Sequence, residues 1–406
     1  MRRQMFGGAA PLAAGCPAVL WDRAEMRIVH VDLREFRNYH QLSLDLPGGV
    51  VVVHGPNGSG KTNLLEGICV AASGDSPRAR TNEELVRVGA EHAFVRGEFI
   101  VRERRIRLEI GLARTGRRQV KIDGAVRRRE DLIGLAPVVL FWAEDIEMVR
   151  GEASGRRRTV DRELSLMSRP YAHHLARYRR ALEQRNKLLK SIREGREGSD
   201  ALDPWDRALA RHGARIVLGR SEFIRALAPE ALEAHGVLTG TGEALAIEYR
   251  ASVGLPEAQR LPLEEKDGSS AIEDIAETLL KALAEQRRGD IAAGVTTCGP
   301  HRDDLQLLLA GRAVRVFGSQ GEQRSCAVAI RMGLAAVARA MTGEPPLVLL
   351  DDVLSELDER HRRGVFAACA GSEQVIITCC DYEDIPAEVR GASSLFELME
   401  GAVLAR

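Results

Sequence analysis

Residues 55–62 read Gly55-Pro56-Asn57-Gly58-Ser59-Gly60-Lys61-Thr62. They follow the continuous apolar run Val50–Val53 and precede a helix predicted to begin near Asn63. An unbroken apolar run of this kind marks a strand buried on both faces. A glycine-rich turn between such a strand and a helix is a P-loop, and every fixed position of the motif is filled. The glycines let successive N–H groups curl around phosphates, and the helix N-terminus adds partial positive charge. Lys61 is placed to reach the β- and γ-phosphates, and Thr62 to offer a hydroxyl to Mg²⁺. ATP and Mg²⁺ are the expected cofactors, with Gly55, Pro56, Asn57, Gly58, Ser59, Gly60, Lys61, Thr62 and Asn63 around the nucleotide.

The acids that such a site requires come very late. Leu347-Val348-Leu349-Leu350 ends in Asp351-Asp352, a buried strand with two carboxylates at its tip. Asp351 is expected to hold Mg²⁺ with Thr62, and Asp352 to orient or deprotonate the attacking water. In a transporter ATPase these two halves lie much closer in sequence.

Between them the periodicity changes. Arg27–Leu33 and Leu42–Leu46 alternate as strands, and Phe94–Val101, Arg104–Leu112 and Gln119–Ile122 form a β-meander that turns at Asp123-Gly124. Val138–Trp142 is a further buried strand. From Tyr171, side chains at Leu175, Tyr178, Leu182, Arg185, Leu189 and Ile192 recur in steps of three and four. After the loop Gly195–Pro204, a second such run holds Trp205, Leu209, His212, Ile216 and Phe223. The pair predicts a short antiparallel coiled hairpin. A helix is predicted over Ile272–Arg288, and residues 237–268 show no usable pattern. Strands return from Leu305, with a hairpin at Ala310-Gly311. A helix over Gly321–Ala340 follows, then one near Glu359–Ala370, and the strand Gln374–Thr378 closes the sheet. The expected organisation is a leader (1–25), an N-terminal half of an α/β head (26–165), a helical insert (166–290) and a C-terminal half (291–406).

Composition sets limits. The net charge is +0, so any affinity for nucleic acid comes from local basic patches. Aromatic residues are only 4% of the chain, too few for a surface of base-stacking platforms. The seven cysteines include no CxxC pair, which argues against a disulfide framework or structural zinc and for a reduced cytoplasmic setting. Cys379-Cys380 lies in an apolar strand pattern and reads as core. No apolar run has the length of a membrane span. Residues 1–25, ahead of Met26, read as a disordered or mis-started leader.

Further motifs carry a resemblance. Ser319-Gln320-Gly321-Glu322-Gln323, at a helix start, resembles the ABC signature, and Ser355-Glu356-Leu357-Asp358 resembles the D-loop. A head split by a coiled segment resembles the SMC branch of the ABC ATPases. Four stretches narrow this to the bacterial RecF family: Phe36-Arg37-Asn38-Tyr39, Lys61–Glu66, Gly299-Pro300-His301-Arg302-Asp303-Asp304 and Asp351–Asp358. The likeness runs from about Met26 almost to the C-terminus.

The resemblance implies a mechanism. Ser319, Gln320 and Gly321, with Asp358, would serve the nucleotide of a second head, so that an ATP-dependent homodimer sandwiches two ATPs and opens on hydrolysis. Lys61, Asp352 and Ser319 would carry the chemistry. The catalytic acid of most ABC ATPases is Glu; Asp352 implies slow turnover, a weak DNA-stimulated ATPase used as a switch. The usual switch His is absent, with Thr378 in its expected place. Glu144-Asp145 stands where a Q-loop is expected, without Gln. Arg78 either touches nucleotide or is a solvated loop residue, and His301 is expected to hydrogen-bond near the nucleotide.

The implied setting is DNA replication, recombinational repair and the SOS response. The implied partners are single-strand/double-strand DNA junctions bound without sequence preference, and the mediators RecR and RecO. Arg102, Arg104, Arg105, Arg107, Arg117, Arg118, Lys121, Arg127–Arg129 and Arg156–Arg158 either contact DNA phosphates or form solvated faces. Two other readings fit a P-loop ATPase. A transporter motor needs membrane association, and a nuclease-linked ATPase needs a second acidic metal cluster.

Overall fold

The computed structural model describes residues 26–254, 268–369, 372–399 and 402–405. The leader and much of the unpatterned stretch before 268 therefore lie outside the described residues. The chain opens with β1 (Arg27–Phe36), β2 (Tyr39–Asp45) and β3 (Gly49–His54), the last feeding the P-loop and α1 (Lys61–Ser73). β4 (His92–Val101), β5 (Arg104–Ala113), β6 (Gln119–Ile122), β7 (Ala125–Arg127) and β8 (Val138–Trp142) follow. The helical stretch comprises α2 (Glu147–Arg150), α3 (Ala153–Met167), α4 (Arg169–Arg193) and α5 (Asp203–Thr239), then β9 (Leu245–Arg250) and α6 (Gly268–Ala293). β10 (Asp304–Leu309), β11 (Arg312–Ala313), α7 (Val314–Phe317) and α8 (Gln320–Thr342) lead to β12 (Leu347–Asp351). α9 (Glu359–Cys369), β13 (Gln374–Cys379), α10 (Ala387–Arg390), β14 (Ser393–Met399) and β15 (Ala402–Ala405) complete the chain.

The fold is an α/β ABC-type head. One sheet has the order β15-β14-β3-β13-β12-β8, parallel from β14 to β8. Alternation along its central strands divides the core in two. Val51, Val53, Leu347 and Leu349 face a cluster shared with α1 and the antiparallel sheet. Val52, Val348 and Leu350 face the cluster built by the helices. That two-sided burial is why these strands read as unbroken apolar runs. The antiparallel sheet has the order β2-β1-β4-β5-β6-β7 and contains the meander. Its last hairpin turns on Asp123 and Gly124, both at positive φ (50° and 81°), as a two-residue loop requires.

Two expectations need correction. β13 does not close the parallel sheet, because β14 pairs with β3 on its other side and β15 adds an antiparallel edge. The stretch assigned to a helical insert also contains a strand. β9 pairs antiparallel with β10 across Leu245↔Leu309 to Arg250↔Asp304. Short alternation inside a polar, glycine-rich stretch hid it.

α5 also runs further than its heptad rhythm, through Pro229 to a left-handed cap at Gly240. Its second half buries Leu227, Ala231, Ala234 and Leu238 in the same cluster as α8. Close approach is possible because residue 333 of α8 is Gly; a Cβ there would lie 2.8 Å from the Ala231 nitrogen. The second helix of the hairpin is thus wedged into the head.

Buried ions join α4, α5 and α6. Arg185 is fully buried; its Nε donates to Asp206 at 2.6 Å, and its Nη1 to Asp290 at 2.7 Å and Thr296 at 2.9 Å. Asp290 also accepts from the Thr297 amide at 2.9 Å. Removing one partner strands a buried charge, so Asp290→Ala should lower the unfolding free energy by about 3–5 kcal/mol. Urea denaturation reads this directly, and an unshifted midpoint would refute it.

Candidate nucleotide site

The P-loop is shaped by its neighbours as much as by its glycines. Gly60 has φ 113°, and a Cβ there would come within 2.6 Å of the Asn38 amide and 2.8 Å of the Tyr39 hydroxyl. Both side chains hold the loop from behind. Tyr39 Oη donates to Gly60 O at 2.9 Å, and Asn38 accepts from Asn63 Nδ2 at 2.9 Å. At Gly55 a Cβ would meet Leu398 O at 2.2 Å, so β14 excludes any side chain there. Arg37 forks onto the buried Glu66 of α1, with both contacts at 2.7 Å, and Ser76 donates to the same carboxylate. The Phe36–Tyr39 motif is therefore a brace for the P-loop, a role that sequence alone left blank.

Lys61 is only 7% exposed. Its Nζ donates to Gly55 O at 2.6 Å and Pro56 O at 3.0 Å, the carbonyls at the loop's entrance. Thr62 Oγ1 donates to Asp351 Oδ1 at 3.0 Å, which joins the two halves of the sequence at one point. Thr378 donates to the same oxygen at 2.8 Å and accepts from the Asp352 amide at 3.1 Å. Burial raises the Asp351 pKa above the ordinary carboxylate range, against the hydrogen bonds from Thr378 and Thr62. Hydroxyl and carboxylate oxygens converging this way are hard donors suited to Mg²⁺.

Asp352 has φ 52°, in the left-handed region, which turns it out of the strand line set by Asp351. Asp and Asn are the non-glycine residues that tolerate this conformation best. The switch position needs correction. Thr378 is fully buried and ties the two acids together, whereas Cys380, past the end of β13, is the residue at the P-loop. The reading of Cys379-Cys380 as core holds for Cys379 alone.

Ser319, Gln320 and Gly321 lie exposed at the start of α8. Ser319 is the N-cap: its hydroxyl accepts from the Glu322 amide at 3.3 Å, and the Glu322 carboxylate accepts from the Ser319 amide at 2.6 Å. That capping box fixes the backbone at Ser319–Gly321. Asp358 is also exposed, and accepts from the His361 amide at 2.9 Å. His361 then links the two motifs. Its Nδ1 is 2.8 Å from Asp358 Oδ1 and its Nε2 is 3.2 Å from Ser325 Oγ, which donates to Gly321 O at 3.0 Å. The structure thus gathers the P-loop, Asp351 and Asp352 in one place, and sets Ser319–Gly321 and Asp358 together on an exposed face.

Three other expected residues have defined partners. His301 pairs with Tyr178 Oη at 2.7 Å and with Thr296 O at 3.0 Å, at the base of the helical arm. Burial lowers its pKa to about 4, so it is neutral there. Its neighbours Asp303 and Asp304 hold Arg220 and Arg156, so Gly299–Asp304 is a structural joint. Asp145, at the Q-loop position, is buried, accepts from the Trp142 amide at 3.0 Å and holds Arg331 of α8. Arg78 reaches Asn63 at 3.3 Å and Glu66 at 3.6 Å, beside the start of α1, so it stays next to the P-loop.

The basic residues sort by partner. Arg102, Arg105, Arg118 and Arg129 are held in ion pairs, and Arg156 is buried against Asp304. Arg104, Arg107, Arg117, Arg127 and Arg128 are exposed. The burial of Arg156 withdraws it from the surface set.

Comparison with known proteins gives the family of the chain. Residues 27–394 match the family model described as the RecF/RecN/SMC N terminal domain. The chain is 37% identical over 387 residues to a DNA replication and repair protein RecF of Symbiobacterium thermophilum, covering 93% of this chain and 98% of the relative. Against the protein of the same description from Acidothermus cellulolyticus it is 37% identical over 366 residues, covering 89% and 96%. A solved structure of the recombination mediator protein RecF with ATP, in the RecFOR pathway, is 29% identical, with a TM-score of 0.83 over 94% of this chain and 98% of that one.

Proposed function

The chain belongs to the RecF branch of the RecF/RecN/SMC family of ABC-type ATPases, and on that basis we propose that it is an ATP-gated DNA clamp acting in DNA replication and recombinational repair. The observation that carries the reading is the placement of Ser319. It caps a helix at the surface, and its hydroxyl is bonded to Glu322, not to its own P-loop. A helix N-terminus presented outward is a ready phosphate site. The nucleotide that fits it sits on a second copy of this head.

Lys61 and the P-loop amides would hold the triphosphate of ATP, and Thr62 with Asp351 would hold Mg²⁺, which supplies charge neutralisation between the phosphates. Asp352 would orient the attacking water. Its short side chain suits slow turnover, a timer for the dimer. Two bound ATPs bridge the heads, and hydrolysis removes the bridge. DNA would stimulate this weak ATPase by favouring the paired state. The relatives are named as replication and repair proteins, which supports this reading over a transporter motor or a nuclease-linked ATPase. Among the described residues α8 is long and apolar enough to cross a membrane, but its apolar side chains, Ile330 and Leu334 among them, lie in the core. The pathway named for the solved relative supports RecO and RecR as partners; loading of recombinase on single strands is the proposed outcome.

The decisive experiment pairs light scattering with binding to a single-strand/double-strand junction, each in ATP and in ADP. ATP should give the dimer and tight junction binding, and ADP neither. A monomer in saturating ATP would overturn the proposal.

The exposed arginines of β5 are the proposed DNA contacts. Arg104→Glu with Arg107→Glu should weaken junction binding across sequences and reduce the salt slope by about 2. An unchanged slope would exclude this face.

A further inference from the structure

Cys379 and Cys380 are adjacent in sequence and opposite in setting. Cys379 is 1% exposed, and burial pushes its thiol up to about 12. Cys380 is half-buried, and its sulfur lies against the P-loop. Sγ donates to Asn57 Oδ1 at 2.8 Å, Lys61 Nζ donates to Sγ at 3.6 Å, and Asp352 Oδ2 is 4.0 Å away. One thiol therefore touches the apex of the loop, the phosphate-binding lysine and the second acid. The backbone explains the placement. β13 runs parallel to β3 with Cys379 opposite His54, and the Gly55 amide donates to Cys379 O at 3.3 Å. The residue after Cys379 must then emerge beside the loop.

A second feature of the same loop points to a ligand. Ser59 is 6% exposed, and its hydroxyl is buried without a hydrogen-bond partner. It faces across the loop, 3.3 Å from where a Cβ on Gly55 would stand. A buried hydroxyl in that position is matched by a phosphate oxygen, which accepts its proton.

Resting on the nucleotide reading above, we infer that Cys380 is a positioning residue for ATP hydrolysis, coupling occupancy of the P-loop to Asp352. A thiol has a single proton. At 2.8 Å Asn57 takes it, while Asp352 stands at the outer limit for sulfur. For Lys61 to reach the phosphates, it must leave Gly55 O, Pro56 O and Cys380 Sγ. Asn57 moves with the loop apex as phosphate oxygens arrive. The thiol then turns its proton to the Asp352 carboxylate, which fixes the orientation of the acid toward water.

The test compares Cys380→Ala and Cys380→Ser in the full chain. Alanine should lower kcat about tenfold, the scale of one lost hydrogen bond in the transition state, with little change in KM. Serine, which keeps the donor, should recover most of the loss. Wild-type kcat in Cys380→Ala would overturn the inference. A second measurement on the unaltered protein holds even if the variants fold poorly. Iodoacetamide labelling, read by peptide mass spectrometry, should slow sharply at Cys380 in ATP and stay constant at Cys298. Equal rates at Cys380 with and without ATP would also overturn it. Calorimetry separates the two readings. Wild-type protein that binds no ATP defeats the nucleotide reading and this one together, while ATP binding without protection of Cys380 defeats this one alone.

Discussion

Lys61→Met is expected to remove most of the ATP affinity while leaving the head folded. Lys61 is a buried cation held by two backbone carbonyls and by Cys380 Sγ, and it is the only side-chain cation hydrogen-bonded to residues 55–62 among the described residues. Charge-assisted hydrogen bonds contribute about 1.5–3 kcal/mol each. Losing two of them to phosphate oxygens predicts a fall in affinity of roughly 100-fold or more. Methionine fills the same volume, and strands β3, β12 and β13 around the loop do not depend on the charge. Isothermal calorimetry gives the answer, and near-normal affinity would refute the assignment.

Asp352→Asn should have the opposite signature: ATP bound normally, hydrolysis reduced about 100-fold or more as general-base assistance is lost, and a long-lived dimer. Asparagine keeps the shape and tolerates the φ of 52° that Asp352 adopts, so the turn after β12 should survive. The Asp352 amide bond to Thr378 is backbone-made and also survives. Light scattering in ATP should show the dimer persisting well beyond that of the wild type. A monomer would count against the sandwich mechanism.

Much of this site could be read directly because its parts are contiguous. The P-loop occupies consecutive residues between a buried strand and a helix, and Asp351-Asp352 ends an apolar run. Each is a local pattern that tertiary contacts merely complete. What escaped depends on register and on partners far along the chain. Cys380 reaches the P-loop only because β13 lies parallel to β3 at one register. His301 looked like a site residue, but its partners Tyr178 and Thr296 place it in the arm. Asn38 and Tyr39 brace a loop some twenty residues downstream through side chains that no periodicity marks. β9 has a short alternating pattern beside glycine and polar residues, which is compatible with a loop until β10 pairs with it. α5 passes through Pro229, a residue that ordinarily ends a helix, because its apolar face is already held by α8.

On the proposed reading, the exposure of Ser319–Gly321 gives the fold its functional logic. A head that held its own signature against its own nucleotide could hydrolyse ATP alone and would have no reason to pair. Here Asp358, His361, Ser325 and the Gly321 carbonyl form one chain of contacts on the outer face. A partner nucleotide docking on Ser319 would therefore bear on the D-loop as well.

The most direct test of that claim is complementation between two inactive variants. Lys61→Met keeps its signature but cannot hold ATP. Ser319→Arg holds ATP but presents a blocked signature. Each alone should lack ATPase activity. Mixed in equal amounts, they should form a dimer with one complete composite site, restoring about a quarter of the wild-type rate from random pairing of isologous heads. A mixture as inactive as its components, with Ser319→Arg shown to bind ATP, would contradict a signature that serves the second head.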